Sequence, residues 1–478
     1  MQNRYKKLFT DTGLFAISNF GSKILTFLLV PLYTSVLTTE EYGAADILTT
    51  TVNLLYPILT LSIFDATLRF ALDKKYDKRA VFSTSIILTA IASVVLLLGT
   101  PIIKGTDSIW GHYWWYFVGI FITTSLQMCL SNYIKGCDKT KIFAIQGILY
   151  TIVFLLLNIL FLLYIKIGLP GYLLSMIIAC AASCIYMLFA SKCHRDLIPF
   201  TFDKTVGKEM LAYSVPMIPT SIAWWINASA DKYMILGFIG VSANGLYGVA
   251  HKIPTIFSTF SNLFSQAWRI SAISTYDEAD KQAYYTRVYR MYSLICVYGC
   301  IALTFASQLI AKLLFKADYY QAWVLVPPLV IAALFEAYAG FLASIYAAAK
   351  KTKFLSVSTC VGAVINIILN FALIKAIGTI GAPIATMLSF VVVWLMRLIV
   401  MKSFIPIKVE ISRSITSVMI VIISGLYYAF QGPLKYLVGI AAVIAIIVIN
   451  FRDTKSLIGF VQNTIQSVFH KKSGGETK

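Results

Sequence analysis

Charged side chains occur inside long apolar stretches of this chain, and they indicate where its chemistry lies. These residues are Lys23, Asp46, Asp65, Arg69, Asp231, Lys232, His251, Lys252 and Glu336. A charge in hydrocarbon is costly, so such residues normally face water, a partner or a substrate. Lys23 and Lys252 lie within apolar stretches, and Arg69 and Arg269 lie at the inner ends of two stretches. Cations spaced in this way suit an anionic substrate such as a phosphate or a pyrophosphate.

Polar side chains also recur at helical spacing. Asn19, Lys23 and Thr26 share one helix face because they follow each other by four and three residues. A second stripe comprises His251, Thr255, Ser258, Asn262, Ser265 and Arg269. A helix surrounded by lipid would not keep such a stripe, so we predict a water-filled cavity lined by these residues. Hydrogen bonding between packed helices is the alternative.

Some candidate residues admit two readings. Asn227 and Asp231 lie one helical turn apart and could hold Na⁺ through oxygen ligands, or Asp231 alone could carry a proton. Alternatively, Asp231 pairs with a basic residue of a neighbouring helix. Asp65 stands four residues before Arg69, so Arg69 either forms an ion pair with it or contacts substrate. Arg269 either contacts substrate or sets membrane topology.

The composition requires that part of this surface meets lipid. The chain of 478 residues is 59% hydrophobic and 13% charged, with a mean hydropathy of +0.78. A bilayer-spanning helix needs about 20 mostly apolar residues. We therefore predict an all-α integral membrane protein with fourteen spans. The predicted segments are 10–37, 43–69, 80–103, 113–134, 142–165, 169–191, 211–239, 244–269, 286–310, 323–349, 354–375, 382–402, 411–430 and 434–451.

The basic residues predict the orientation of these segments. The loops that follow even-numbered spans, together with both tails, hold 30 of the 40 Lys and Arg residues. The loops on the opposite side hold six. Basic residues favour the cytoplasmic side, so both termini are predicted to be cytoplasmic. This sidedness explains the net charge of +19 and argues against nucleic-acid binding. No cleavable signal peptide is apparent, and the eight cysteines are interpreted as packed hydrophobic residues rather than as metal ligands or disulfides.

The chain contains an internal duplication. Lys139-Thr140-Lys141 opens an apolar run that carries Asn158, and Lys351-Thr352-Lys353 opens another that carries Asn370, at an offset of 212 residues. A second echo relates residues 42–46 to residues 247–251. Such duplication usually indicates two lobes facing each other across a substrate path. We predict a lobe of helices 1–6 (residues 1–210), a pseudo-twofold-related lobe of helices 7–12 (211–403), and two additional helices with a cytoplasmic tail (404–478).

Four stretches resemble the polysaccharide-exporting branch of the multidrug/oligosaccharidyl-lipid/polysaccharide (MOP) flippase superfamily. They are residues 39–43, 230–236, 244–250 and 366–370, and the similarity of layout covers essentially the whole chain. The resemblance implies a bacterial inner-membrane flippase for undecaprenyl-pyrophosphate-linked oligosaccharide repeat units of O-antigen or capsule. It also implies that Lys23 and Lys252 are basic cavity residues that engage the diphosphate.

The related peptidoglycan-precursor flippases have a sodium site on helices 7, 11 and 12, where Asn227, Asp231, Asn370 and Thr386 fall in this chain. Helix 11 has no evident acidic residue here, which leaves proton coupling open.

The resulting hypothesis is a flippase without catalytic residues or cofactor, coupled to Na⁺ or H⁺ or driven by the membrane potential. Lys23, Arg69, His251, Lys252 and Arg269 would bind the headgroup. Asn19, Asp46, Asp65 and Asn262 would complete the polar lining. Expected partners are the lipid-linked oligosaccharide, membrane lipids, and a polysaccharide polymerase or chain-length regulator.

One alternative is cation-coupled multidrug efflux on the same architecture. Another is a membrane-embedded glycan polymerase, ligase or glycosyltransferase, which is disfavoured because no Asp-x-Asp motif, nucleotide-binding glycine loop or large outer loop occurs.

Overall fold

A computed structural model describes residues 27–73, 75–106, 108–194, 203–349, 351–405, 411–451 and 453–455. These residues form helices joined by short connections, and no strand occurs among them. Asn19 and Lys23 lie outside the described residues, and so does the side chain of Asn227.

The described residues of the first half form nine α-helices. They are α1 (Val30–Val36), α2 (Thr39–Leu59), α3 (Ile63–Leu72), α4 (Lys78–Leu98), α5 (Thr100–Lys104), α6 (Ile109–His112), α7 (Trp114–Gly136), α8 (Thr140–Asn158) and α9 (Gly168–Ala190). A π-helical stretch, Ile159–Tyr164, continues α8. A capping box begins α2: the Thr38 hydroxyl accepts the Glu41 N–H, and the Glu41 carboxylate accepts the Thr38 N–H.

The described residues of the second half form ten more α-helices. They are α10 (Lys204–Ser214), α11 (Ile218–Phe238), α12 (Val241–Ala250), α13 (Lys252–Ser274), α14 (Lys281–Leu314), α15 (Val326–Ala348), α16 (Thr352–Ile377), α17 (Gly381–Met401), α18 (Ile411–Ala429) and α19 (Lys435–Ile449). Within the described residues, the 3₁₀ stretches Val215–Met217, Ala317–Leu325 and Gly378–Ile380 connect neighbouring helices.

The described helices account for seven apolar stretches long enough to cross a bilayer, and the bent pair α2–α3 makes an eighth. Two shorter apolar helices, Thr416–Ala429 and Lys435–Ile449, follow. The all-helical membrane architecture is therefore confirmed. The count of fourteen spans stays a prediction.

The second predicted segment is a broken helix. Helices α2 and α3 meet at an angle of 60°. Pro57 lies inside the last turns of α2, and Leu61 and Ser62 both adopt left-handed backbone conformations, with φ of 53° and 51°. The Ser62 N–H donates a hydrogen bond to the Pro57 carbonyl at 2.7 Å. The sequence predicted one continuous span over residues 43–69, whereas the structure breaks it just after Pro57, a residue type that commonly causes kinks.

Two compact units make up the chain, and each is described by itself. The first comprises the described part of Met1–Val249 together with Leu314–Tyr319, and the second comprises Ala250–Leu313 and the described part of Tyr320–Lys478. The first unit has a core around Trp114, Phe117 and Phe121. In the second unit, the Trp268 and Phe341 rings stack with centroids 4.6 Å apart, and α15 is buried along almost its whole length. The lobe boundaries at residues 210 and 403 rest on the sequence repeat and stay a prediction.

A glycine crossing in the first unit brings the two echoed motifs into contact. A Cβ on Gly43 of α2 would lie 2.1 Å from the Val241 carbonyl oxygen, and one on Gly245 of α12 would lie 1.9 Å from the Thr39 carbonyl oxygen. The two backbones therefore touch, an approach that only glycine permits. The Thr39 and Ser242 hydroxyls join the same helices at 2.6 Å.

The buried Arg397 joins three helices of the second unit. Its guanidinium donates to the Ser358 hydroxyl at 3.0 Å, the Ala339 carbonyl at 2.8 Å and the Thr359 hydroxyl at 2.9 Å. These acceptors are neutral and belong to α15 and α16, whereas Arg397 belongs to α17. The fork geometry of the guanidinium lets one side chain satisfy all three.

The glycine crossing predicts a large effect of one methyl group. Gly43→Ala and Gly245→Ala should each destabilise the protein by about 1–3 kcal/mol or more, because the backbones must separate. Gly237→Ala in α11 is the matched control, since nothing lies within 4 Å of its Cβ position. Thermal unfolding in detergent should show a lowered midpoint for the first two variants only. Unchanged midpoints for both would contradict the crossing.

The hydrogen bonds of Arg397 predict that lysine cannot replace it. Arg397→Lys should lower the free energy of unfolding by about 1–3 kcal/mol, because an ammonium group cannot reach acceptors on both α15 and α16 in the same geometry. Lys402→Gln, an exposed change at the end of the same helix, should stay within about 0.5 kcal/mol. Equal unfolding midpoints for Arg397→Lys and the natural protein would exclude this role.

Candidate functional site

The first unit holds a group of buried or half-buried polar side chains that we call the charge cluster: Asp46, Asp231, Lys232, Asn244 and Tyr247. The Lys232 ammonium lies 2.9 Å from each carboxylate oxygen of Asp46. The Asn244 amide donates to Asp46 at 3.3 Å and to the Gly43 carbonyl at 3.2 Å. The glycine crossing positions this contact, because it brings α12 against α2 one turn from Asp46.

Asp231 is buried beside this ion pair but does not join it. Its carboxylate accepts hydrogen bonds from the Tyr247 hydroxyl and from the Lys232 backbone N–H, the latter at 2.9 Å. The neighbouring Lys232 side chain turns to Asp46 instead, as expected for adjacent helical residues. Among the residues that the structure describes, the ion pairs are Lys232–Asp46 and Arg290–Asp453. The alternative in which Asp231 pairs with a basic side chain is therefore not found within the described part of the chain.

The charge cluster has chemistry suited to cation uptake. Its described members include two carboxyl groups and one ammonium group. A buried carboxylate that lacks a cation is costly, and protonation or binding of a monovalent cation relieves that cost. Asp231 is the member that can be protonated or bind a monovalent cation without breaking the Lys232–Asp46 pair.

The second unit carries the predicted polar stripe on α13, with His251 at the helix N-cap. Asn262 and Arg269 are exposed, and Ser258 and Ser265 are half-buried. A different side of the same helix packs into the protein, where the buried Ser261 hydroxyl bonds the Tyr292 hydroxyl at 2.7 Å. Ser261, which makes this hydrogen bond between packed helices, lies outside the stripe.

Glu336 extends this polar surface onto α15. Every fourth or third residue from Glu336, namely Gly340, Ala343 and Ala347, is accessible, whereas the rest of α15 is buried. The Ser258 hydroxyl donates to the Glu336 carboxylate at 3.5 Å, and Gly340 faces Ser265. We call this surface the α13–α15 face. A carboxylate exposed on the apolar helix α15 and a guanidinium exposed on the adjoining α13 favour contact with water or substrate over contact with acyl chains.

An amide cluster links α16 and α17. The Asn366 side chain donates to Thr386 and to Ser389, both at 3.2 Å, and the Asn370 amide donates to Asn366 at 2.9 Å. The side-chain oxygen of Asn370 is buried and accepts no hydrogen bond in the described part of the chain. Two predicted ligands, Asn370 and Thr386, thus come together through Asn366, which the resemblance included but which was not predicted as a ligand. Such oxygens suit a small hard cation.

The predicted pairing of Asp65 with Arg69 is not present among the described residues. Arg69 is exposed on α3, while Asp65 is half-buried and interacts electrostatically with Lys135 of α7. The exposed side chain of Arg69 is therefore accessible. Sequence spacing alone favoured the local pair because both residues lie on one helix face.

Comparisons with known proteins agree on the family and the fold. The family described as polysaccharide biosynthesis protein matches residues 8–269. An uncharacterised membrane protein of Methanocaldococcus jannaschii is 25% identical over 410 residues, covering 80% of this chain and 95% of the relative.

Solved structures of transporters share the fold of this chain. An inward-facing multidrug resistance MATE family transporter of the MOP superfamily gives a TM-score of 0.67 at 12% identity, covering 80% of this chain and 95% of that one. The lipid II flippase MurJ, in an inward closed conformation, gives 0.66 at 15% identity and covers 92% and 99%. A MOP superfamily transporter from Pyrococcus furiosus gives 0.57 at 13% identity and covers 82% and 96%. The chain is thus a membrane protein with the MOP transporter fold, and it belongs to the polysaccharide biosynthesis protein family.

Proposed function

We propose that this protein is a flippase for undecaprenyl-pyrophosphate-linked oligosaccharide repeat units. It would move them from the cytoplasmic to the outer leaflet of a bacterial cytoplasmic membrane. The observation that carries the proposal is the α13–α15 face, which exposes Arg269, Asn262 and Glu336 on helices of a spanning unit. The family, which serves polysaccharide biosynthesis, and the similarity to a lipid II flippase support a phosphorylated lipid as cargo.

The chemistry of the face fits such a headgroup. A diphosphate carried unscreened through hydrocarbon would cost several kcal/mol or more. Lys252, next to His251 at one end of the polar stripe, and Arg269, at its other end, would screen the phosphates, together with Lys23 and Arg69 of the first half. Ser258, Asn262 and Ser265 lie between them and would exchange hydrogen bonds with sugar hydroxyls. The polyprenyl tail would remain in the bilayer.

Transport would proceed by alternating access, with both termini in the cytoplasm and with the two repeat-based lobes as the moving parts. No covalent step is needed, and the transporters of similar fold support a non-enzymatic role. A polysaccharide polymerase or a chain-length regulator would act on the product at the outer face.

Coupling to Na⁺, H⁺ or the membrane potential would bias the direction of transport. The candidate groups are Asp231, held by Tyr247, and the amide cluster with Asn370 and Thr386. A tenfold ion gradient supplies about 1.4 kcal/mol per ion, enough to change a rate about tenfold.

The cargo proposal predicts that cations on the α13–α15 face control translocation. In proteoliposomes with a labelled lipid-linked oligosaccharide, Lys252→Gln combined with Arg269→Gln should slow flipping about tenfold or more. The reason is that each lost charged hydrogen bond is worth about 1.5–3 kcal/mol. Lys204→Gln combined with Lys208→Gln removes the same charge from exposed positions of α10 and should transport normally. An undiminished rate in the first variant would refute the proposal. Transport of drug cations without oligosaccharide would instead establish the efflux alternative.

The charge cluster predicts where coupling occurs. In Asp231→Asn, the amide oxygen can accept from the Lys232 N–H and the amide NH2 can donate to the Tyr247 hydroxyl oxygen, so the fold should persist while the ionisable group is lost. The variant should transport at the gradient-free rate whether or not a Na⁺ or H⁺ gradient is imposed. Asp318→Asn, an exposed change, is the matched control and should respond as the natural protein does. A gradient response that survives in Asp231→Asn would place coupling elsewhere.

A further inference from the structure

The duplicated lysine motif has a role that the transport face does not explain. Helices α8 and α9 form a hairpin, and α16 and α17 form its repeat. Lys139 and Lys141 stand at the start of the first hairpin, and Lys351 and Lys353 at the start of the second. A further lysine follows the last helix of each hairpin, Lys192 after α9 and Lys402 after α17. Each hairpin therefore presents three lysines at one end.

The first lysine of each set holds its hairpin closed. The Lys139 ammonium donates to the Ser191 carbonyl at 2.6 Å, just past the C-terminus of α9. The Lys351 ammonium lies 4.2 Å from the centre of the Phe404 ring, just past the C-terminus of α17. Both contacts place a cation beside the negative end of a helix, where it is favoured. They also establish that the two ends of each hairpin lie together.

The other lysines are exposed: Lys141, Lys192, Lys353 and Lys402. Lys192 is notable because its φ of 59° lies in the left-handed region, a position at which helices usually place glycine. A lysine there keeps a backbone cost that glycine would avoid. Its side chain therefore contributes something that glycine cannot.

Matched apolar side chains continue from these lysines along the helices. Ile145, Ile152 and Leu156 of α8 are exposed, and so are Val357, Val364 and Ile368 of α16. Each member of the second set follows its counterpart by 212 residues, the offset of the lysine motif. The spacing puts each set on one helix face. Exposed apolar faces on spanning helices meet acyl chains.

We propose that each hairpin binds one anionic phospholipid of the surrounding membrane. Lys141 and Lys192 would hold the headgroup phosphate in the first hairpin, and Lys353 and Lys402 would hold it in the second. The acyl chains would lie along the exposed apolar faces. These sites are separate from the α13–α15 face and do not depend on the cargo. The duplication of both the cations and the apolar rows favours a lipid over free phosphate, which would use the cations alone.

Native mass spectrometry of the full-length protein tests the proposal by counting retained lipids after relipidation with phosphatidylglycerol or phosphatidylcholine. The natural protein should retain two phosphatidylglycerol molecules beyond its phosphatidylcholine level. Lys141→Gln with Lys192→Gln should retain one, Lys353→Gln with Lys402→Gln should retain one, and the quadruple variant none. Lys204→Gln with Lys208→Gln should retain both. The proposal would be overturned if the quadruple variant retained as much phosphatidylglycerol as the natural protein, or if the control variant lost as much as the quadruple variant. Displacement of the lipid by millimolar inorganic phosphate would also overturn it.

Lys192→Gly distinguishes an effect on lipid binding from an effect on stability, because it should lower lipid retention and raise the unfolding midpoint. Glycine accepts the left-handed conformation, so the unfolding midpoint in detergent should rise. Loss of the ammonium group should lower phosphatidylglycerol retention by one molecule. A variant that gains stability and still retains both lipids would show that the charge at this position is not used.

Discussion

Charge inside hydrocarbon is the constraint on which this structure depends. The described residues meet it in three ways. Lys232 is paired with Asp46, Arg397 is satisfied by neutral acceptors on two helices, and Arg269 is exposed on a polar helix face. The first two arrangements fix helices to one another. Only the third leaves a charge accessible, and an accessible charge is what a phosphorylated cargo requires.

The duplication places glycines and lysines with similar structural roles in both halves of the chain. The first echoed motif meets α12 at the contact of Gly43 and Gly245, just before the second motif, where the absence of side chains lets backbones touch. The repeated lysines each close a hairpin, one through a carbonyl and the other through an aromatic ring. A repeated sequence therefore preserves positions of charge and close packing even where its individual contacts differ.

The sequence predicted those features that depend on local spacing. Apolar length predicted the all-helical membrane architecture, and the three- and four-residue spacing predicted the stripe on α13. The sequence did not predict contacts between residues that are far apart along the chain. Asp46 and Lys232 are 186 positions apart, whereas sequence spacing could offer only a local partner, such as Asp65 for Arg69. Asn366 joins Asn370 to Thr386 through geometry that spacing does not specify. The break at Leu61 and Ser62 also escaped prediction, because neither residue is a glycine or a proline.

The central claim is that accessible cations lower the cost of moving a phosphorylated headgroup across the bilayer. It is tested most directly by presenting the purified, reconstituted protein with two lipids that carry the same oligosaccharide and tail. One has a diphosphate linkage and the other an uncharged ether linkage. The account predicts that the diphosphate lipid is translocated and that the uncharged lipid crosses only at the rate of protein-free vesicles. Equal protein-dependent rates for the two lipids would contradict it.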